Sequence, residues 1–385
     1  MLDVMKILNN VSNEVARRKE RKEELARRFE LHKAEIVIYG HGYLGVELGK
    51  GLEHENWPVR YFLDANKPTD FSQKNINLKE ANRYLSPDAI IIVAIYNIYL
   101  EYPSIRTQLE AMGFKNIMSV LDLRVWPELF QGGHIHDTLS WDITHIPGGL
   151  VNEAYLLMED EASQKTYKEL LDFFLSDRDI KFTLCPAEKQ YMPDAIYLPA
   201  ENERIIDCGA YNGDTMRAFY SRLGTWCSYT GIEPDLHNWE ELNASIQISL
   251  PKGLAERTKT ICAAVSNKPG SAAFCTSGNT TSHISEGPVH NVPVITLDDA
   301  IQEPVSFIKM DIEGFELRAL QGAEGLIRKN QPLLAICGYH HQADLWEIPL
   351  YMKKLLPNHK IYLRNYAGII EYVFYAVPEN RVLLK

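Results

Sequence analysis

The sequence predicts an α/β protein made of two doubly wound, Rossmann-like domains. Three observations carry this. From residue 35 onward, apolar segments of strand length alternate with segments of helix length. The strand segments, such as EIVIYG (35–40) and AIIIVAIY (89–96), are continuously apolar, as the strands of a parallel sheet covered on both faces are. Finally, two glycine turns, IVIYGHGYLG at 36–45 and RIIDCGAYNGDT at 204–215, each follow a strand and open a helix. There glycine lets the backbone approach a ligand and the helix N-terminus offers free amides.

Residues 1–34 read as a charged N-terminal helix. Acids interleave with the basic residues of RRKERKEELARRFELHK, which favours a solvated helix with i,i+4 pairs over a basic binding surface. Leu25, Phe29 and Leu31 leave a homodimer contact open. Residues 35–126 form the first domain: EIVIYG, a helix over LGVELGKGLEHE, VRYFLDA, a helix around LKEANRYL, AIIIVAIY, a helix over SIRTQLEAMG, and NIMSVLD. Residues 127–150, with the aperiodic QGGHIHDTLSWDITHIPGG, read as a connector. The second domain, 151–385, opens with a helical stretch, LLMEDEASQKTYKELLDFFLSD. Its strand seeds are RIIDCGA, WCSYTGIEPD, TICAAVS, VSFIKMDIEG, PLLAICGYH, KIYLRNY and EYVFYAV, the last two close enough to form an antiparallel hairpin.

At 385 residues the chain is long enough for two proper cores. Its net charge of -11 argues against nonspecific nucleic-acid binding, which rewards a basic surface. Six scattered cysteines without metal-site spacing read as the reduced thiols of a cytoplasmic protein. Nothing resembles a signal peptide or a membrane span, so no membrane partner is expected.

In the first turn, Gly40, Gly42 and Gly45 complete GxGxxG, and Asp64 ends the next strand. That spacing fits a dinucleotide fingerprint in which the acid meets a ribose hydroxyl, but any doubly wound domain also needs a tight turn there. The segment resembles the small Rossmann-like domains that precede sugar-modifying enzymes such as bacterial sugar acyltransferases, which implies a nucleotide or nucleotide-sugar site.

The second turn has a different spacing: Asp207, Gly209 and Gly213, with Glu233 ending the next strand in GIEPD. Ligands of such a sheet lie across the carboxyl ends of its strands. One acid in the turn and one on the neighbouring strand suit a ligand with an amino-acid end and a ribose end, as S-adenosylmethionine has. An acid inside the turn would repel a pyrophosphate. Lys309, Asp311, Glu313 and Glu316 then crowd the strand end and helix start of FIKMDIEGFELRALQGA, a costly charge density for a merely structural turn.

The order DCGAYNGDT, GIEPD, VPVITLDDA and FIKMDIEGFELRALQGA resembles the FkbM family of S-adenosylmethionine-dependent methyltransferases, over roughly residues 150–385. EKQYMPDAIYLP, GYHHQADLWEIP and IYLRNYAGIIEYVFYAVPE are similar to a bacterial branch of it. The resemblance implies a class I methyltransferase fold with a C-terminal antiparallel hairpin. It assigns Asp207, Gly209 and Gly213 to the methionine end of the cofactor and Glu233 to its ribose. Ala263 and Ala264 fall near the adenine, Asp311 beside the sulfonium and acceptor, and Gln190 and Tyr191 over the cofactor.

Methyl transfer to a hydroxyl needs a base within hydrogen-bond reach. His340 is the leading candidate and His341 the second of that pair, both following PLLAICGY at the carboxyl edge, with Asp311 as runner-up. Glu313 and Glu316 would orient the acceptor. Arg364 and Tyr366 either line its pocket or pair with their neighbours. The acids permit magnesium, yet pairing with Lys309, Arg318 or a helix N-terminus is the favoured reading, so no metal is expected. FCTSGNTTSHISEGPVHNVPV (274–294), with His283, is either a surface connection or part of a covering segment over a sugar.

The expected function is O-methylation of a sugar or polysaccharide-precursor hydroxyl, or of a natural product, with a small-molecule or saccharide substrate. Two rivals stand beside it. One is an NAD- or nucleotide-sugar-dependent enzyme using Gly40 to Gly45. The other is a non-enzymatic sugar-nucleotide-binding assembly factor.

Overall fold

A computed structural model of the chain describes residues 4–31, 35–95, 98–130, 139, 141–176, 180–200, 202–275 and 289–383. The chain divides into two compact units. The first comprises Met1–Pro147, Glu169–Lys181 and Ala367–Ile369; the second comprises Gly148–Lys168, Phe182–Tyr366 and Ile370–Lys385.

The first unit holds a five-stranded sheet: β1 (Ile36–Tyr39), β2 (Val59–Asp64), β3 (Asn75–Asn77), β4 (Ile90–Val93) and β5 (Asn116–Ser119), in the order β3-β2-β1-β4-β5. Every pairing is parallel. β1 and β4 are buried throughout, as their unbroken apolar sequences predict. The order reverses between β1 and β4, the switch point at which such sheets take ligands.

The N-terminal segment forms two helices, Val4–Asn9 and Val11–Leu31, where one solvated helix was expected. Leu25 and Phe29 are buried, and Phe29 lies against Trp57 and Trp126. Arg18 is buried as well, donating to the carbonyls of Trp141 and Phe174 at 3.2 and 2.5 Å. Leu25 and Phe29 therefore serve the unit's own core, which removes them from the homodimer contact; Leu31 is exposed. The expected connector is partly packed too. Leu129 and Phe130 are buried, and Gly51 lies so near Leu129 that a Cβ would stand 1.8 Å from its carbonyl oxygen.

The second unit holds a seven-stranded sheet. Its strands are β6 (Arg204–Cys208), β7 (Ser228–Ile232), β8 (Thr258–Ile261), β12 (Phe307–Met310), β13 (Leu333–Cys337), β14 (Lys360–Ala367) and β15 (Ile370–Val377). The order is β14-β15-β13-β12-β6-β7-β8. β8, β7, β6, β12 and β13 run parallel, and β15 joins β13 antiparallel. This is the class I methyltransferase arrangement, with the switch point between β6 and β12.

A second, three-stranded sheet, β10-β11-β9, is built from β9 (Ala264–Val265), β10 (Gly270–Cys275) and β11 (Val289–Ile295). The seed TICAAVS thus divides between two sheets: Thr260 and Ile261 stay with β8, while Ala264 and Val265 pair with β11. The two ends of the expected polar loop are strands paired antiparallel, and His283 lies outside the described residues. Among the described residues no helix is long and apolar enough to cross a membrane.

Candidate functional site

At the end of β6 the chain turns sharply. Gly209 has φ +79°, and a Cβ there would stand 1.8 Å from the Asp311 carbonyl oxygen, so only glycine lets the β6 turn meet the end of β12. Gly213, at φ +85°, begins the helix Asp214–Leu223. Asp207 is fully buried beneath this turn. Its Oδ1 lies 2.9 Å from Lys309 Nζ and its Oδ2 accepts from the Tyr229 hydroxyl at 2.6 Å. Lys309 also donates to the Gly209 carbonyl at 2.6 Å. Burial works to discharge this lysine, but Asp207 and then Asp311 outweigh it and hold the ammonium well above its usual range. Burial likewise pushes the Asp207 carboxyl up, against the pull of Lys309. The geometry makes Asp207 a support of the turn to which the methionine end of the cofactor was assigned.

One strand over, Glu233 follows β7 and is 6% exposed. Oε2 accepts from the Tyr211 amide and Oε1 from the Asp235 amide, both at 2.9 Å. Each oxygen keeps a lone pair for a further donor. Burial raises its pKa to about 7 against the pull of those two amides. Ala263 is buried just beyond β8, and Ala264 opens β9.

Asp311 follows β12 and accepts from the Tyr191 and Tyr339 hydroxyls at 2.8 and 2.9 Å. Burial opposes its ionisation, yet Lys309, His340 and these hydroxyls hold its carboxyl below the usual range. Glu313 and Gly314 follow at φ +54° and +93°, a pair of left-handed residues that reverses the chain before the helix Glu316–Gln321. Glu316 is fully buried and accepts from the Ile312 amide at 2.7 Å. Glu313 keeps 37% of its side chain exposed, and burial of the rest raises its pKa to about 7.

His340 is 6% exposed, with Nδ1 3.0 Å from Glu316 Oε1 and Nε2 3.7 Å from Asp311 Oδ1 and 3.8 Å from Glu313 Oε2. Burial alone would discharge it. Glu316 first, then Glu313 and Asp311, outweigh that and push its pKa up to about 10. These carboxylates favour the protonated ring, which works against its accepting the hydroxyl proton expected of it. His341 turns elsewhere: Nε2 lies 3.1 Å from the Gly314 carbonyl, and its amide donates to Asp344 at 2.8 Å.

Gln190 donates to Glu371 Oε2 at 2.5 Å, and the Tyr191 ring lies 5.3 Å from Lys309 Nζ. The expected pair thus meets the carboxyl edge. Arg364 does not. It is 5% exposed and grips Asp160 with both terminal nitrogens, at 3.1 and 2.5 Å, while also donating to Ser163. Tyr366 is buried against the Tyr375 hydroxyl at 2.8 Å and the Lys189 carbonyl at 3.3 Å. Both are framework, which corrects the acceptor-pocket reading; of that expected set Glu313 and Glu316 remain at the edge.

In the first unit, Gly40 has φ +110°, and a Cβ there would stand 2.3 Å from the Ala94 carbonyl oxygen. Gly45 packs as closely on Gly40, whereas Gly42 has open space around it. Asp64 is engaged by its own loop: Oδ1 accepts from the Asn66 and Lys67 amides at 2.8 and 3.0 Å, and Oδ2 from the His41 amide at 3.3 Å. Burial is outweighed by these amides, which lower its pKa. Lys67 also donates to the His41 carbonyl, across the turn.

Sequence reasoning missed Tyr229 and Tyr339, whose hydroxyls fix the two central acids. It also missed the partner of Lys309. The signal for the last was present: a lysine inside the apolar strand FIKM needs a buried counterion, and Asp207 is the acid of the adjacent strand.

Residues 207–366 match the family model of the methyltransferase FkbM domain. The structure of methyltransferase FkbM from Methylobacillus flagellatus aligns over 89% of each chain with a TM-score of 0.70 at 20% identity, a likeness of fold. An rRNA methylase from Streptococcus thermophilus aligns over 46% of this chain and 89% of its own, at 14% identity and a TM-score of 0.30. Aeropyrum pernix fibrillarin with bound S-adenosylmethionine aligns over 47% and 69%, at 11% identity and 0.28. Scores this low carry no argument about this chain. No curated protein matches the sequence. The chain carries an FkbM methyltransferase domain, and with it the S-adenosylmethionine-dependent class of enzyme that the motifs led one to expect.

Proposed function

We propose that the FkbM methyltransferase domain of this chain methylates a hydroxyl of a sugar or polysaccharide precursor, or of a natural product. The observation that supports this is the concentration of buried and half-buried acid at the carboxyl edge of the sheet. Asp207, Glu233, Asp311, Glu313, Glu316 and Asp344 outnumber the cations Lys309 and His340. Carboxylate in this excess, most of it removed from water, favours a cationic ligand, and Glu233 adds an acceptor for a ribose. This donor set fits S-adenosylmethionine, which supplies its methyl group on a sulfonium that needs no further activation.

In this reading the remote Lys309–Asp207 pair holds the turn at Gly209 in place, Glu233 accepts the ribose hydroxyls, and Asp311 presents negative charge beside the reacting centre. Tyr191 and Tyr339 fix the orientation of Asp311, so much of the rate comes from alignment. The acceptor hydroxyl lies against Asp311 and Glu313. Its proton leaves to Glu313, the carboxylate of this cluster with the larger open surface. An acidic mouth disfavours an anionic acceptor and tolerates a neutral sugar.

Calorimetric titration with S-adenosylmethionine and S-adenosylhomocysteine, on the full chain and on Glu233→Gln, tests the reading. Binding that is weakened in the variant supports it. A chain that binds neither ligand refutes it.

A further inference from the structure

We propose that Asp311, Glu316 and His340 together bind a divalent cation of the Mn2+ class. One ligand atom from each lies within 4.8 Å of the others. Atoms about 2.2 Å from a common ion stand at most about 4.4 Å apart, so the three are within a few tenths of an ångström of a coordination shell. They come from three places in the fold: Asp311 ends β12, Glu316 opens its helix, and His340 follows β13. Two are already anchored from behind, Asp311 by Tyr191 and Tyr339, Glu316 by the Ile312 amide. Such outer contacts orient metal ligands.

An independent observation points the same way. His340 is more than nine-tenths buried, yet neither ring nitrogen makes a hydrogen bond. Nδ1 faces Glu316 Oε1 at 3.0 Å without the alignment of a hydrogen bond, and the polar neighbours of Nε2 are carboxylate oxygens at 3.7 and 3.8 Å, beyond hydrogen-bond reach. Glu316 Oε2 is likewise buried without a partner. Buried donors and acceptors are ordinarily satisfied, and a divalent ion placed between Asp311, Glu316 and one nitrogen of the imidazole gives these groups a common partner. One imidazole with two carboxylates suits Mn2+ better than magnesium, whose preference is for oxygen. This revises the expectation that the acids pair with Lys309, Arg318 or a helix N-terminus and hold no metal.

The use of the ion rests on the methyl-transfer reading, while its binding does not. Beside Asp311 the ion would take the acceptor oxygen as a further ligand and lower the pKa of that hydroxyl, so its proton would pass to Glu313 before the carbon–oxygen bond forms.

The test is to titrate metal-stripped full chain with Mn2+ and follow free Mn2+ by electron paramagnetic resonance. One ion per chain is expected. His340→Ala and Glu316→Gln should each weaken it by about tenfold or more, while Glu233→Gln, at the end of β7, leaves it unchanged. Nitrogen hyperfine coupling to the bound ion in the unaltered protein reads the imidazole without any substitution. No binding at millimolar Mn2+, no nitrogen coupling, or undiminished binding in a folded His340→Ala overturns the site. Cofactor affinity is measured separately: its loss with Mn2+ binding intact would sink the methyl-transfer reading alone.

Discussion

Lys309 and Asp207 stand at matching positions of β12 and β6 and pair at 2.9 Å, with 1% and 0% of their surfaces exposed. The pair bridges the two strands between which the sheet reverses, and Lys309 carries the Gly209 carbonyl as well. A buried pair of this kind is weak evidence for net stability but a strong liability when halved. Lys309→Met strands the Asp207 carboxylate and is expected to lose about 3–5 kcal/mol. Lys309→Met with Asp207→Asn should recover a substantial part. Urea denaturation of the two variants checks this, and equal losses would show that the charge pairing is not what matters.

Two glycine turns that look alike in sequence should respond differently to the same change. Gly209→Ala places a methyl 1.8 Å from the Asp311 carbonyl oxygen at φ +79°. Either strain of about 1–3 kcal/mol is held or the end of β12 moves, and cofactor affinity falls with it. Gly42 has φ -99° and open space for a Cβ, so Gly42→Ala should leave stability within about 0.5 kcal/mol. Thermal unfolding and cofactor titration of the two variants give the comparison. A tolerated Gly209→Ala would remove the close approach as the reason for that glycine.

The parallel order of both sheets was legible because a continuously apolar strand, a glycine turn and a helix repeat in IVIYGHGYLG and RIIDCGAYNGDT. Glu233 and Asp311 were legible as strand-terminal acids. The state of His340 was not, because it depends on three carboxylates that lie 24 to 29 residues away in sequence and meet it only after β12 and β13 pair. Arg364 was misread for a similar reason: its partner Asp160 is 204 residues distant, and no local spacing announces it. The N-terminal helix looked solvated because its charges hide the single buried face of Leu25 and Phe29.

Arg364 should behave as framework. Arg364→Gln leaves Asp160 half-buried without its cation, so a stability loss of about 3 kcal/mol is expected. Below its unfolding range the variant should keep the acceptor KM of the parent. A raised KM without a stability change would return Arg364 to the acceptor pocket.

The Glu233 carboxyl supplies a pH signature for both folding and binding. Burial raises its pKa from 4.5 to about 7, so between those values the folded chain binds more protons than the unfolded one. Its share of stability is therefore complete below about pH 4.5 and is lost as the pH rises through about 7. Binding runs the other way, because the ionised carboxylate is the better acceptor for ribose hydroxyls. S-adenosylmethionine affinity should rise between pH 6 and 8 as the group ionises. Glu233→Gln should flatten this rise and, at pH 8, weaken binding by about tenfold or more, the scale of a hydrogen bond to a charged group. Calorimetry across that range on both proteins decides it: a wild-type affinity as flat as that of the variant would take Glu233 away from the ribose, however well its position suits the role.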